Sequence, residues 1–187
     1  AMIGLFSIPE TLAMISSYIN DDTVNLLSFD EIRKIKVGFP SWDHIKRHAA
    51  IYLKSSMIGT YVGMLPGAGG SIASFMAYNE AKRSSKHPEL FGTGISEGIA
   101  AAESANNAMA GGALIPMLTL GVPGDSVAAI MMGGLLVHGL IPGAQLFTQH
   151  ADIAYTFILA LYLANVMMLL FGIYCAPYFT IVTRTPK

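Results

Sequence analysis

The chain has 187 residues, 53% of them hydrophobic and 12% charged. Soluble domains carry about 25% charged residues, so the supply for a solvated surface is roughly halved, and a mostly water-exposed globular domain is excluded. No Lys or Arg occurs between Lys86 and Arg184, which removes the rows of cations that nucleic-acid binding needs.

Residues 1–6 start in mid-hydrophobic segment, without the basic region and small-residue cleavage site of a signal peptide, and the chain reads as an internal piece of a longer protein. Residues 2–19 are apolar but interrupted by Pro9 and Glu10, which suits the end of a spanning helix and an interfacial turn. Residues 20–43 carry Asp21, Asp22, Asp30, Glu31, Arg33, Lys34, Lys36 and Asp43 and read as an extramembranous loop. Trp42, Lys46, Arg47 and Lys54 then mark the approach to an interface, where rings and snorkelling cations settle. Residues 51–82 read as a broken or re-entrant helix: an arm over 51–65, the string Pro66-Gly67-Ala68-Gly69-Gly70, and a second arm that leads out to Glu80, Lys82, Arg83 and Lys86. Residues 95–142 repeat the pattern, with an arm over 108–122, then Pro123-Gly124-Asp125, then an arm over 126–141. Residues 153–176 contain Asn165 as their one strongly polar side chain. Their length of about 36 Å crosses a hydrocarbon core of about 30 Å with some tilt.

The expected fold is therefore an all-α integral membrane protein, a polytopic helical bundle with broken or re-entrant helices at the Pro-Gly motifs, and residues 1–187 form part of one transmembrane domain. A Pro-Gly break frees backbone groups that lipid cannot satisfy, so it is tolerated at membrane depth only inside protein or beside a polar cavity. Secondary transporters use paired breaks of this kind, where half-helix N-termini meet anions and exposed carbonyls hold cations. Gly67, Gly69, Gly70 and Ser71 would open one half-helix, and Gly124, Asp125 and Ser126 the other. If the basic sets at 33–54 and 82–86 flank a hairpin, they lie on one side of the membrane; a full crossing would split them.

Residues 92–113 are rich in Gly, Ala and Ser, and Gly59-x-x-x-Gly63 and Gly94-x-x-x-Gly98 have the spacing of close helix packing. Glu103, Asn106 and Asn107 lie at i, i+3 and i+4 and share a helix face. Such groups are expensive in an apolar helix unless they meet an ion, a substrate or each other, and both the ligand and the amide-network readings stand. Asp125 suits an N-cap or a cation ligand, and His138 a packed ring or a proton relay. His44, His48, His87 and His150 lack metal spacing. The glycine cluster has no Gly-Lys-Ser/Thr ending, so the phosphate-loop reading fails, and with no Ser-His pairing suggested by position the hydrolase reading is not selected either. An enzyme is not expected; the rival readings are an intramembrane enzyme built on Glu103 and His138, and a structural or channel subunit.

Several long strings carry a resemblance. They are Gly63-Met-Leu-Pro-Gly-Ala-Gly-Gly-Ser-Ile-Ala-Ser-Phe-Met-Ala-Tyr-Asn-Glu-Ala-Lys-Arg83, Glu97-Gly-Ile-Ala-Ala-Ala-Glu-Ser-Ala-Asn-Asn107, Gly111-Gly-Ala-Leu-Ile-Pro-Met-Leu-Thr-Leu-Gly-Val-Pro-Gly124 and His138-Gly-Leu-Ile-Pro-Gly143. Together they resemble the large membrane subunit, TctA, of the tripartite tricarboxylate transporters, most strongly over residues 59–147. The resemblance implies a multi-pass protein of the bacterial inner membrane, and the chain would come from the second half of a longer subunit. A periplasmic solute-binding protein would deliver a carboxylate, and this subunit, with a small membrane subunit, would move it inward on a sodium or proton gradient. No cofactor beyond that coupling cation is implied. The two breaks and the Glu103/Asn106/Asn107 face would surround the translocation site. With no Lys or Arg over residues 87–183, the anion would be held by half-helix N-termini, backbone amides, Ser and Asn. Glu103 and Asp125 would repel a polyanion, which places a sodium ion or proton beside them.

Overall fold

The computed structural model describes residues 39–182 and Leu12, with side chains through Cys175. The readings over residues 2–19 and most of 20–43 lie outside the described residues. Among the described residues all regular structure is helical, and residues Pro40–Val166 form one compact unit.

Helix α1 (Trp42–Gly63) begins where the Ser41 side chain accepts the His44 N–H at 3.3 Å, an N-cap that satisfies one of the orphan donors of the first turn. One turn on, the Lys46 ammonium stands 5.7 Å from the Trp42 ring centre. The chain breaks over residues 64–68 and resumes as α2 (Gly69–Ser84), with Gly67 (φ 80°) and Gly69 (φ 68°) in the left-handed region that glycine enters without strain. A short 3-10 turn, Pro88–Leu90, precedes α3 (Ser96–Leu120). Gly121, also left-handed, ends α3 by donating to the Met117 carbonyl at 3.1 Å. Helices α4 (Ser126–Val137), α5 (Ala144–Gln149) and α6 (Ala151–Val182) complete the described chain.

The arms before the breaks are longer than the sequence suggests. In place of segments over 51–65 and 108–122, α1 has 22 residues and α3 has 25. The Ser41 cap starts α1 nine residues earlier than that reading, and the alanine-rich run before Asn107 carries α3 as good helix former. Pro116 sits buried inside α3 without ending it. Each Pro-Gly motif thus follows a full-length helix and precedes a shorter one.

Helix α3 touches α1, α2, α4 and α5. Its contact with α1 is built on glycine: a Cβ at Gly59 would collide with the Ala105 carbonyl, one at Gly63 with that of Met109, and one at Gly112 with that of Thr60. The step from Gly59–Ala105 to Gly63–Met109 runs the same way along both helices, so α1 and α3 are parallel. Small residues are what let the two backbones approach this closely. Helix α2 folds back antiparallel, with the Ser74 hydroxyl donating to the Ala102 carbonyl at 3.1 Å and the Tyr78 ring lying over Gly98. Gly94 precedes the helix at φ 90° with open space around it, so Gly94-x-x-x-Gly98 is not a helical packing pair.

Lys54 of α1 pairs with Glu80 of α2, whose other oxygen accepts from Arg83 at 2.7 and 2.9 Å. This ties the open ends of the α1–α2 hairpin and brings the basic groups of both arms to the same end. Among the described residues one helix, Ala151–Cys175 within α6, is long and apolar enough to cross a membrane, with a mean hydropathy of 2.2 and no buried residue in its apolar window; it overlaps the span read at 153–176. The 12 residues of α4 reach only about 18 Å, too short to cross. In the remaining unit, Ala1–Phe39 with Met167–Lys187, the described residues are mainly the continuation of α6 to Val182.

Candidate functional site

Because α1 and α3 run in parallel, both Pro-Gly motifs arrive at the same end of the pair and meet there. The Gly67 N–H donates to the Gly124 carbonyl at 2.7 Å. Gly124 is buried, and a Cβ on it would collide with the Gly63 carbonyl and with Ala113. A second backbone bond, from the Gly143 N–H to the Leu118 carbonyl at 2.9 Å, brings the loop after α4 to the end of α3. Backbone groups freed by one break are thus partly satisfied by the other, as buried backbone groups require.

The two helix starts that follow the breaks differ. Asp125 caps α4, its Oδ1 accepting the Ala128 N–H at 2.8 Å, so a carboxylate already occupies that positive helix end. The cap reading of Asp125 therefore holds. Replacing it with Ala is expected to lower stability by about 1 kcal/mol, with Asn or Ser restoring most of the loss, as measured by thermal melting of the purified protein. Helix α2 is preceded by Ala68, which offers no capping side chain. No side chain caps its first turn, whose N–H groups are the orphan donors of a helix start.

Of the sequence candidates, Gly70, Ser71 and Asn106 come together. With Ser74, Phe75, Tyr78 and Ala102 they line an open cleft of about 490 Å³ between α2 and α3. Asn106 Oδ1 abuts Gly70 so closely that a Cβ there would overlap it. Glu103 and Asn107 open instead into a separate groove between α1 and α3, of about 760 Å³, with Tyr52, Ser56, Ser96 and Ser104. The three-residue polar face of the sequence reading is therefore divided between two clefts. At 100° per residue Asn106 and Asn107 diverge, so Asn106 lines a cleft with residues of α2 and Asn107 a groove with residues of α1. Gly67 and Gly124 form the clasp, Gly69 opens α2, and Asp125 and Ser126 open α4; none of these lines either cleft. His138 stands exposed at the C-cap of α4.

Sequence reasoning did not single out Tyr52, Ser56, Ser74 and Ser96, took Ser104 as a small packing residue, and read His48 only as a histidine without metal spacing. His48 is buried, its Nδ1 2.9 Å from the His44 carbonyl and its Nε2 3.4 Å from Ser96 Oγ and 3.6 Å from Glu97 Oε1. The spacing His48, Tyr52, Ser56, one helical turn apart each time, is the signal that would have found this polar stripe.

Residues 1–187 match the family described as the tripartite tricarboxylate transporter TctA family. Two proteins of Agrobacterium vitis are similar. The "Uncharacterized 52.8 kDa protein in TAR-I ttuC' 3'region" is 35% identical over 142 residues, 76% of this chain and 28% of the relative. The "Uncharacterized protein in TAR-II ttuC' 3'region" is 37% identical over 115 residues, 62% of this chain and 48% of the relative. The chain thus spans less than half the length of each of these curated relatives. No solved structure matches it significantly. With the family match running from end to end, the chain belongs to the tripartite tricarboxylate transporter TctA family.

Proposed function

We propose that this chain is part of the multi-pass membrane subunit of a bacterial inner-membrane secondary transporter that imports tricarboxylates or related carboxylates. In this reading a periplasmic binding protein delivers the substrate, a small membrane subunit completes the complex, and a sodium or proton gradient drives uptake. The observation that carries it is the uncapped start of α2, opening beside Gly70, Ser71 and Asn106 into a cleft next to the Gly67–Gly124 clasp. A substrate carboxylate there would take the free N–H groups of the first turn, the Ser71 hydroxyl and the Asn106 amide. The helix dipole would supply the positive potential that the missing Lys and Arg cannot. Helix α4, whose start is filled by Asp125, serves to hold the clasp. Small residues along α1 and α3 keep the breaks in register.

The test is uptake of labelled tricarboxylates by the complete system in vesicles. Accumulation above the external level that needs the binding protein and collapses when the ion gradient is dissipated is the expected result. Chemical conversion of the substrate in detergent, without any gradient, would decide for an intramembrane enzyme.

A further inference from the structure

A third groove, of about 630 Å³, lies between α1 and α2 and shares no lining residue with the two clefts described above. Its lining changes character along its length. At one end stand Lys54 and Arg83 with Glu80 between them; a turn further along each helix come Met57 and Met76, and beyond them Tyr61. Because α2 runs antiparallel to α1, these steps lead the same way from the charged end. The run from Lys54 to Tyr61 covers about 10 Å at about 1.5 Å per residue. Met57, Tyr61 and Met76 are each more than half exposed. Both oxygens of Glu80 are engaged, one by Lys54 and one by Arg83, and among the described residues it is the one carboxylate that either cation meets. Two cations around one carboxylate leave one positive charge, and both keep N–H donors beyond those that Glu80 accepts. Their side chains are 50% and 80% exposed, so those donors are open to a ligand. Lys82 in the last turn of α2 and Lys86 just after it add positive charge at this end.

An amphiphile fits this order, with an anionic head at the cations and a hydrocarbon chain along the methionines. A free anion would leave the apolar floor bare, and an apolar helix laid over it would bury the remaining donors without partners. Methionine supplies an adaptable surface for a flexible chain, and basic pockets between membrane helices are where acidic headgroups settle. We propose that the α1–α2 groove binds an acidic phospholipid, with Lys54 and Arg83 on its phosphate and an acyl chain over Met57, Met76 and Tyr61. This rests on the membrane placement in the reading above and not on transport of a carboxylate. By bridging Lys54 and Arg83 from outside, the headgroup reinforces the tie that Glu80 makes between the open ends of the hairpin.

The first experiment is native mass spectrometry of the purified full-length protein in detergent with equal amounts of phosphatidylglycerol and phosphatidylcholine. Retention of a single phosphatidylglycerol is expected, with an affinity about fivefold or more above that for phosphatidylcholine. Combining Lys54→Gln with Arg83→Gln should abolish this preference. Lys82→Gln with Lys86→Gln removes the same charge outside the groove and should keep it. Because the first pair also loosens the hairpin tie, a second experiment uses the parent protein. Phosphatidylglycerol with a photoreactive group in its acyl chain should label the peptide carrying Met57 and Tyr61 or the one carrying Met76. Unlabelled phosphatidylglycerol should protect that peptide, and phosphatidylcholine or inorganic phosphate at equal concentration should not. Equal retention of the two lipids, an unchanged preference in the folded Lys54→Gln and Arg83→Gln pair, or equal loss in both pairs would each overturn the proposal. So would protection by phosphate, or labelling confined to other peptides because another helix of the full-length subunit covers the groove.

Discussion

Gly124→Val is expected to abolish uptake and to lower the melting temperature of the purified protein more than Asp125→Ala, Asn106→Ala or Ser71→Ala. The added branched side chain has no direction in which to relax, because what it meets is the Gly63 carbonyl and the Cα of Ala113 rather than the end of a flexible chain. Overpacking of this kind costs about 1–3 kcal/mol. Pushing the loops apart also leaves the Gly67 N–H without the Gly124 carbonyl, which adds about 1–3 kcal/mol when the group is buried. Gly111→Ala is the matched control: it lies within α3 with open space around it, and gains up to about 1 kcal/mol of helix propensity. Equal melting of Gly124→Val and Gly111→Ala would mean that the clasp does not hold the breaks together.

Asn106→Ala is expected to leave the fold intact and to weaken substrate binding about 10- to 100-fold, the loss of a hydrogen bond to a charged group worth about 1.5–3 kcal/mol. Asn106 is exposed in the α2–α3 cleft rather than packed in the core, so its removal opens no cavity. The change should appear as a raised KM with assembly unaltered. Ser71→Ala, which removes the hydroxyl but keeps the backbone N–H, should act in the same direction more weakly. Competitive binding of a labelled tricarboxylate to the purified protein measures both. Unchanged affinity in both variants would remove the anion site from the start of α2.

Particular residues show how much of this was legible beforehand. Pro66-Gly67 and Pro123-Gly124 announce helix ends because proline removes a donor and glycine admits left-handed backbone, properties of the residues themselves. Gly59 and Gly63 announce a close helix contact by their spacing, and both face α3. The apolar run in α6 needs only length and composition. The clasp is another matter. A hydrogen bond between Gly67 and Gly124 depends on α1 and α3 being parallel and in register, and no local periodicity encodes the direction of a partner helix. The division of Glu103 and Asn107 from Asn106 has the same origin: an i, i+3, i+4 rule says which residues are neighbours on α3, but α1 and α2 decide which cleft each faces. The contrast between Asp125 and Ala68 was half visible. Asp125 before an apolar run is a cap by residue type, whereas the open start of α2 acquires meaning only beside Asn106.

The measurement that bears most directly on the central claim is a structure of the full-length protein in a lipid bilayer with a tricarboxylate bound. The account predicts a substrate carboxylate within hydrogen-bond distance of the first-turn N–H groups of α2 and of the Asn106 side chain, with Asp125 still capping α4. A substrate bound elsewhere while the start of α2 is sealed against protein would contradict it.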